Sequence, residues 1–248
     1  MLLLVDAGNT QIKWALADRA AAPGAWHTSG AVAHAQIDTL AALWQTLPID
    51  QALISNVAGD SVREQMQRSL PANTPAEWFA ASAERAGIRN RYRDPLQLGC
   101  DRFAAAIGAH QAFPAMPLIV ATCGTATTVD AISADGVFLG GMILPGLGLM
   151  AKSLATHTAL LPQVEHAAMI SAPFGDNTQD AIISGCLAAQ AGAIERAVQA
   201  HGGPAAVTCI VSGGAGQWVS AHLTLPHHRV DNLVLLGLFS VANTTLPC

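Results

Sequence analysis

Asp6-Ala7-Gly8-Asn9-Thr10, followed by Lys13, brings a carboxylate, an amide, a hydroxyl and an ammonium into one short stretch. Such a set suits the phosphates of a nucleotide. A turn built around Gly8 lets backbone N–H groups approach an anion with no Cβ in the way. Asn9 and Thr10 can donate hydrogen bonds, and Lys13 can meet phosphate as a point charge. Asp6 can hold Mg²⁺ directly or through water. The same residue types also favour a plain turn for conformational reasons, and these residues alone leave both readings open.

The flanking residues predict what positions this set. Leu2 to Val5 is an apolar run suited to a buried strand. After the turn, Ile12, Trp14 and Leu16 alternate with Gln11, Lys13 and Ala15, as in a second strand. The tip of a β-hairpin therefore carries the chemistry. A second stretch, Leu118 to Ile132, repeats the plan: an apolar run, a small polar turn around Gly124, then alternation. Aligning Gly8 with Gly124 sets Asp6 against Thr122 and Asn9 against Thr125. Two such hairpins, each opening half of the chain, predict duplicated domains facing one nucleotide across a cleft.

Gly99-Cys100-Asp101-Arg102 precedes the Ala-rich helical run Phe103 to Ala112, so Asp101 sits at or beside a helix N-terminus. Aspartate there is a favoured cap and suits the helix dipole. It is also the group needed to phosphorylate an alcohol, a carboxylate that accepts the hydroxyl proton. Arg102 can hold a carboxylate or phosphate with two parallel hydrogen bonds. Upstream, Ala83 to Leu98 reads as a solvated loop. It holds Arg85, Arg89, Arg91 and Arg93, a third of the 12 Lys and Arg residues, and Tyr92, the only tyrosine.

Elsewhere strands and helices alternate, as in α/β layering. Strands are expected near Trp26–Val32, Gln51–Val57, Glu77–Ala80, Val137–Ile143 and Ala206–Val211. Helices are expected at Ile37–Leu47, from a capping box at Ser61-Val62-Arg63-Glu64 to Leu70, at Gln179–Ala200 and at Leu233–Ala242. Phe113-Pro114-Ala115-Met116-Pro117 breaks the helical pattern and sets a boundary between domains 1–115 and 116–248.

The chain is 51% hydrophobic and 12% charged, with net charge −5. A sizeable core and some surface covered in an oligomer follow from these figures. No Lys/Arg cluster recommends nucleic acid as a partner. No uninterrupted apolar run approaches a membrane span, and Asp6 and Asn9 interrupt the N-terminal apolar run, so neither a membrane anchor nor a signal peptide is expected. Five widely spaced cysteines without C-x-x-C predict free thiols in a reducing cytoplasm, not a zinc site or disulfide framework. The pair His227-His228 reads as surface loop.

Taken in order, Asp6-Ala7-Gly8-Asn9-Thr10 with Lys13, Gly99-Cys100-Asp101-Arg102, Gly124-Thr125-Ala126 with Thr128 and Asp130, Gly140-Gly141 to Pro145-Gly146, Gly175-Asp176-Asn177-Thr178 and Ser212-Gly213-Gly214-Ala215-Gly216 resemble type III pantothenate kinase. The resemblance covers nearly the whole chain. It implies an α/β fold of two duplicated actin-like (ribonuclease H-like) domains with a nucleotide cleft between them, within the superfamily of acetate and sugar kinases, actin and heat-shock ATPases. It implies ATP-dependent phosphorylation of pantothenate to 4'-phosphopantothenate, the first step of coenzyme A biosynthesis, in the cytoplasm.

On that resemblance Asp101 is the general base. Asp6, Ala7, Gly8, Asn9, Thr10, Gln11, Ile12, Lys13 and Thr125 hold ATP and Mg²⁺. Tyr92, Gly99, Cys100, Asp101, Arg102 and Thr178 contact pantothenate, Thr178 from a neighbouring subunit in some members, which implies a homodimer with the site near its interface. The family binds a monovalent cation (K⁺ or NH₄⁺) through an aspartate where this chain has Thr122, a departure that takes a negative charge from that place. The rival readings are a kinase for another small hydroxylated substrate and a non-catalytic regulatory or accessory protein on the same fold.

Overall fold

The computed structural model describes residues 1–158, 160–164 and 173–244. The chain divides into two compact units. The first comprises Met1–Pro114, Gly136–Phe138 and the chain from Asn232 onward; the second comprises Ala115–Asp135 and Leu139–Asp231. The first crossing lies one residue from the expected boundary, but the closing segment packs on the first unit.

In the first unit, β1 (Leu2–Ala7), β2 (Gln11–Ala17) and β3 (Thr28–Ala33) form an antiparallel meander. Helix α1 (Asp38–Trp44) leads to β4 (Gln51–Asn56), and α2 (Asp60–Ser69) leads to β5 (Ala76–Phe79), both strands running parallel to β1. The sheet order is β3-β2-β1-β4-β5. Strand alternation sorts the faces. Leu3, Val5, Ala7, Ile12, Trp14, Ala52 and Ile54 enter one core with Leu40, Trp44, Val62 and Met66 from α1 and α2. Trp14 and Trp44 meet edge to face there, at 6.4 Å and 81°. Leu2, Leu4, Asp6, Leu53 and Ser55 alternate onto the other face.

Two local expectations change. The capping box does not form: α2 starts at Asp60 with Gly59 as N-cap and no side-chain cap. The stretch 83–98 is not simply loop. It folds as β6 (Glu84–Arg85) and β7 (Ile88–Asn90), antiparallel, with Ile88 and Asn90 buried. Arg85 is ion-paired to Glu77 at 2.6 Å. Val137 and Phe138 extend this small sheet in parallel with β7. Helix α3 (Cys100–Ala112) closes this part of the chain.

The second unit repeats the plan. Strands β8 (Leu118–Cys123) and β9 (Ala126–Ile132) form an antiparallel hairpin, and β10 (Val137–Pro145) borders β9. Helices α4 (Leu147–His157) and α5 (Thr178–His201) precede β11 (Thr208–Ser212), which pairs in parallel with β8. A short helix α6 (Gly216–Ser220) leads to β12 (His228–Arg229), parallel to β11. The order β10-β9-β8-β11-β12 matches β3-β2-β1-β4-β5 element for element. The burial patterns of β1 and β8 are also the same, with only the fifth residue, Asp6 or Thr122, incompletely buried.

Helix α5 has the length and apolar composition of a membrane span, but half of that window is buried. Its Ile182, Ile183, Cys186, Leu187, Ile194 and Val198 belong to the core of the second unit. The last helix, α7 (Leu233–Thr244), lies against α3 and also touches β1 and β4, so α3 and α7 cover the sheet face that bears Asp6. Among the described residues, Cys100, Cys123, Cys186 and Cys209 are free thiols; Cys248 lies outside the described residues.

Candidate active site

In the first unit the β1–β2 hairpin presents Asn9 and Thr10 exposed at its tip. Ala7 and Ile12 have no exposed surface, so neither is open to a ligand in this arrangement. The Gly8 N–H donates to the Gln11 carbonyl at 3.2 Å and closes the turn, so it is not one of the backbone donors open to an anion. Lys13 is the cross-strand partner of Asp6, and Ser55 is the neighbour of Asp6 on β4.

Asp6 as a residue is partly exposed, but its Oδ1 is buried and has no hydrogen-bond partner among the described residues. Burial pushes its carboxyl up to about 7; the Asp101 carboxylate adds to the rise, and Lys13 opposes it. The two carboxylates therefore share one electrostatic environment. A buried, unpartnered carboxylate oxygen fits a hard divalent cation, and Asp6 is the residue that would hold it.

Asp101 lies in the first turn of α3, whose N-cap is Gly99. It is not the cap. Its Oδ1 folds back to accept the N–H of Arg102 at 2.8 Å. Burial raises its pKa, and hydrogen bonding to the Arg102 N–H and the Arg102 charge oppose the rise. The α3 start is fixed to β4: Ser55 Oγ and Cys100 Sγ share a hydrogen bond of 3.3 Å, and Cys100 Sγ donates to the Asn56 carbonyl at 3.5 Å. The Cys100 side chain thus faces β4, and burial pushes its thiol up.

Arg102 is 7% exposed. Its Nη1 donates to the Tyr92 hydroxyl at 2.8 Å. Its guanidinium carbon lies 5.6 Å from the Tyr92 ring centre and 5.7 Å from that of Phe138. Those rings meet edge to face at 5.7 Å, so the cation sits against an aromatic pair. The loop that carries Tyr92 is shaped by Asn90, whose Oδ1 accepts the Tyr92 N–H at 3.0 Å while Nδ2 donates to the Pro95 carbonyl at 3.0 Å. Asn90, Phe138 and Ser55 were not singled out from the sequence; only their three-dimensional neighbours reveal them.

Thr122, Thr125 and Thr178 belong to the second unit. Thr125 is exposed at the β8–β9 turn, which backbone hydrogen bonds from other loops brace. Gly146 N–H donates to the Thr125 carbonyl at 2.9 Å, and Ala215 N–H donates to the Cys123 carbonyl at 3.0 Å. Gly213, at φ 90°, comes so close that a Cβ would lie 2.3 Å from the Cys123 oxygen. Thr122 has Thr128 as its partner on β9 and Ser212 on β11. The row Lys13–Asp6–Ser55 of the first unit is therefore Thr128–Thr122–Ser212 in the second, hydroxyls throughout. Thr178 opens α5 beside the N-cap Asn177, whose Oδ1 accepts the Asp180 N–H at 3.0 Å. It lines a cavity of about 530 Å³ with Pro145, Met150, Leu154, Ile182 and Cys186. No group of three or more His, Cys, Asp or Glu side chains forms a metal site among the described residues.

Comparison with known proteins completes the assignment. A type III pantothenate kinase from Herminiimonas arsenicoxydans is 55% identical, over 100% of this chain and 99% of its own. In three dimensions the chain is similar to a protein from Sinorhizobium meliloti described as a 2-dehydro-3-deoxygalactonokinase (TM-score 0.62, 19% identity, all of both chains). It is also similar to the activator of the 2-hydroxyisocaproyl-CoA dehydratase from Clostridium difficile (TM-score 0.53, 12% identity, 98% and 93% covered). The fold is that of the actin-like kinases and ATPases. The family model described as type III pantothenate kinase matches residues 2–200. The chain belongs to the type III pantothenate kinase family.

Proposed function

We propose that the protein transfers the γ-phosphoryl group of ATP to the terminal primary hydroxyl of pantothenate, giving 4'-phosphopantothenate at the start of coenzyme A biosynthesis in the cytoplasm. The observation that carries this reading is the pairing of Asp101 with Arg102 on α3 of the hairpin-bearing unit: a carboxylate of raised proton affinity beside a cation clamped by Tyr92 and Phe138.

Asp101 accepts the hydroxyl proton as the oxygen attacks phosphorus, and its raised pKa brings it closer to the ideal for a base at neutral pH. Asn9, Thr10 and Lys13 hold phosphate oxygens. Thr125, at the matching turn of the second unit, carries the same kind of donor. Asp6 would hold Mg²⁺, which when bound would neutralise charge on the phosphates. Arg102, with Tyr92, Gly99 and the Cys100 main chain, binds the acceptor. Positioning and charge stabilisation supply most of the rate.

The Thr128–Thr122–Ser212 row offers neutral oxygens where the family's cation site uses a carboxylate. It does not fit that site, and we infer that turnover needs no monovalent cation. A homodimer is supported by exposed apolar side chains in the second unit, among them Met142, Ile143, Leu149, Leu160 and Phe174. Thr178 would then reach pantothenate bound in the other subunit.

The test is phosphate transfer from ATP to pantothenate by the pure protein, with and without K⁺ or NH₄⁺. Transfer under both conditions supports the whole reading, and transfer only with the cation removes the inference about Thr122. ATP binding without transfer to pantothenate leaves the kinase for another hydroxylated substrate, or the regulator.

A further inference from the structure

We propose that His34 is a positioning residue for the phosphate hairpin, aiming the Asn9 N–H by pinning the Gly8 carbonyl. The inference rests on the reading of the β1–β2 turn as a phosphate site. Strand β3 ends at Ala33, the cross-strand partner of Gln11, so the next residue lies beside the hairpin tip. There a single 3₁₀ turn, His34–Gln36, swings the chain round, and the partly buried His34 ring reaches back. Its Nε2 donates to the Gly8 carbonyl oxygen at 2.8 Å.

The consequence follows from peptide geometry. The Gly8–Asn9 bond is planar, and all peptide bonds are trans. The Gly8 carbonyl and the Asn9 N–H therefore point in opposite directions. With the carbonyl held by His34, the N–H must face away from the ring. The Gly8 N–H is already committed to Gln11, so Asn9 provides the next backbone donor along the turn. A glycine next to this bond makes its rotation easy. Turned over, it would present a carbonyl oxygen where an N–H is needed, and oxygen repels phosphate. His34 thus selects one of two accessible orientations. Both the neutral Nε2–H tautomer and the cation can donate this bond.

The experiment compares wild type, His34→Ala, His34→Met and His34→Gln. Met keeps the bulk without a donor, and the Gln amide restores a donor at similar reach. Binding of a non-hydrolysable ATP analogue with Mg²⁺ is measured by calorimetry, and KM is measured for both substrates. Loss of the donor should weaken nucleotide binding about three- to tenfold in the Ala and Met variants. KM for pantothenate should stay constant, and Gln should return affinity to near wild type. Wild-type affinity in His34→Met, or a Gln variant as weak as Met, overturns the role of His34 while leaving the phosphate hairpin intact. A wild-type protein that binds no nucleotide overturns both.

Discussion

Gly99 and Asp101 are in such close approach that a Cβ on Gly99 would lie 2.7 Å from Asp101 Oδ1. The obstructing atom ends a side chain and Gly99 has an ordinary φ of −54°, so Gly99→Ala can be accommodated by moving the carboxylate, with the backbone left in place. Stability should change by less than about 1 kcal/mol. A displaced base should lower kcat roughly 10- to 100-fold with KM for ATP unchanged. Asp101→Asn, which keeps the shape and loses the base, sets the floor, at about 10²- to 10⁴-fold below wild type. Steady-state kinetics and a thermal melt separate the two effects, and an Asp101→Asn enzyme with wild-type kcat would defeat the base assignment.

Asp6 makes the metal-free protein sensitive to pH. Burial first, then the Asp101 charge, hold its carboxyl at about 7 against an ordinary value of 3.8. A pKa raised on folding contributes stability that is complete below about pH 4 and lost as pH rises through 7, because the buried group must then ionise. The loss amounts to at most about 4 kcal/mol. Asp6→Asn has no charge to bury and should flatten this slope, raising Tm at pH 8 by roughly 5–10 °C while abolishing turnover. Melting curves from pH 4 to 8 without metal provide the check. A variant that retains the wild-type slope would mean that Asp6 is not its source.

The hairpins were legible because alternation and a polar turn are local signals, and their repetition exposed the duplication. The same holds for Asp101, placed by the helical run after it. What escaped the sequence depends on distant partners or on elements too short to show a period. Strands of two and three residues, β6 and β7, lie in a stretch whose arginines suggested solvent. Phe138 reaches Arg102 from a strand 36 positions away, and nothing nearby in the chain marks it. Helix α7 comes last in sequence but packs on the first unit, because α3 leaves an apolar face there that chain order does not reveal. Gly8 marked the turn correctly, yet its N–H closes the hairpin.

The Tyr92 hydroxyl accepts from a guanidinium that is almost fully buried, and such a bond to a charged group contributes about 1.5–3 kcal/mol. Tyr92→Phe keeps the ring against Arg102 and Phe138 and removes only that acceptor. KM for pantothenate should rise about tenfold or more, with KM for ATP unaffected. Arg102→Lys should be worse, since a point charge cannot keep both the planar contact and the directed hydrogen bond. Equal KM values for Tyr92→Phe and wild type would show that this contact does not shape the acceptor site.

Thr122 offers the sharpest test of how the duplicated hairpins differ. Asp6 and Thr122 occupy the same place in β1 and β8, flanked by Lys13 and Ser55 in one and by Thr128 and Ser212 in the other. The first row has a carboxylate to attract a cation, and the second has only neutral oxygens, which bind a hydrated monovalent ion weakly. Wild-type turnover should therefore differ by less than about twofold between potassium, ammonium and choline salts at equal ionic strength. Thr122→Asp adds a partly buried charge without a matching lysine. It should lower turnover in choline and recover it when potassium or ammonium is added, because the ion then offsets the unpaired carboxylate. A wild-type enzyme that works only with potassium would show that hydroxyls suffice to hold the ion, and Thr122→Asp would then change affinity for the cation and not the need for it.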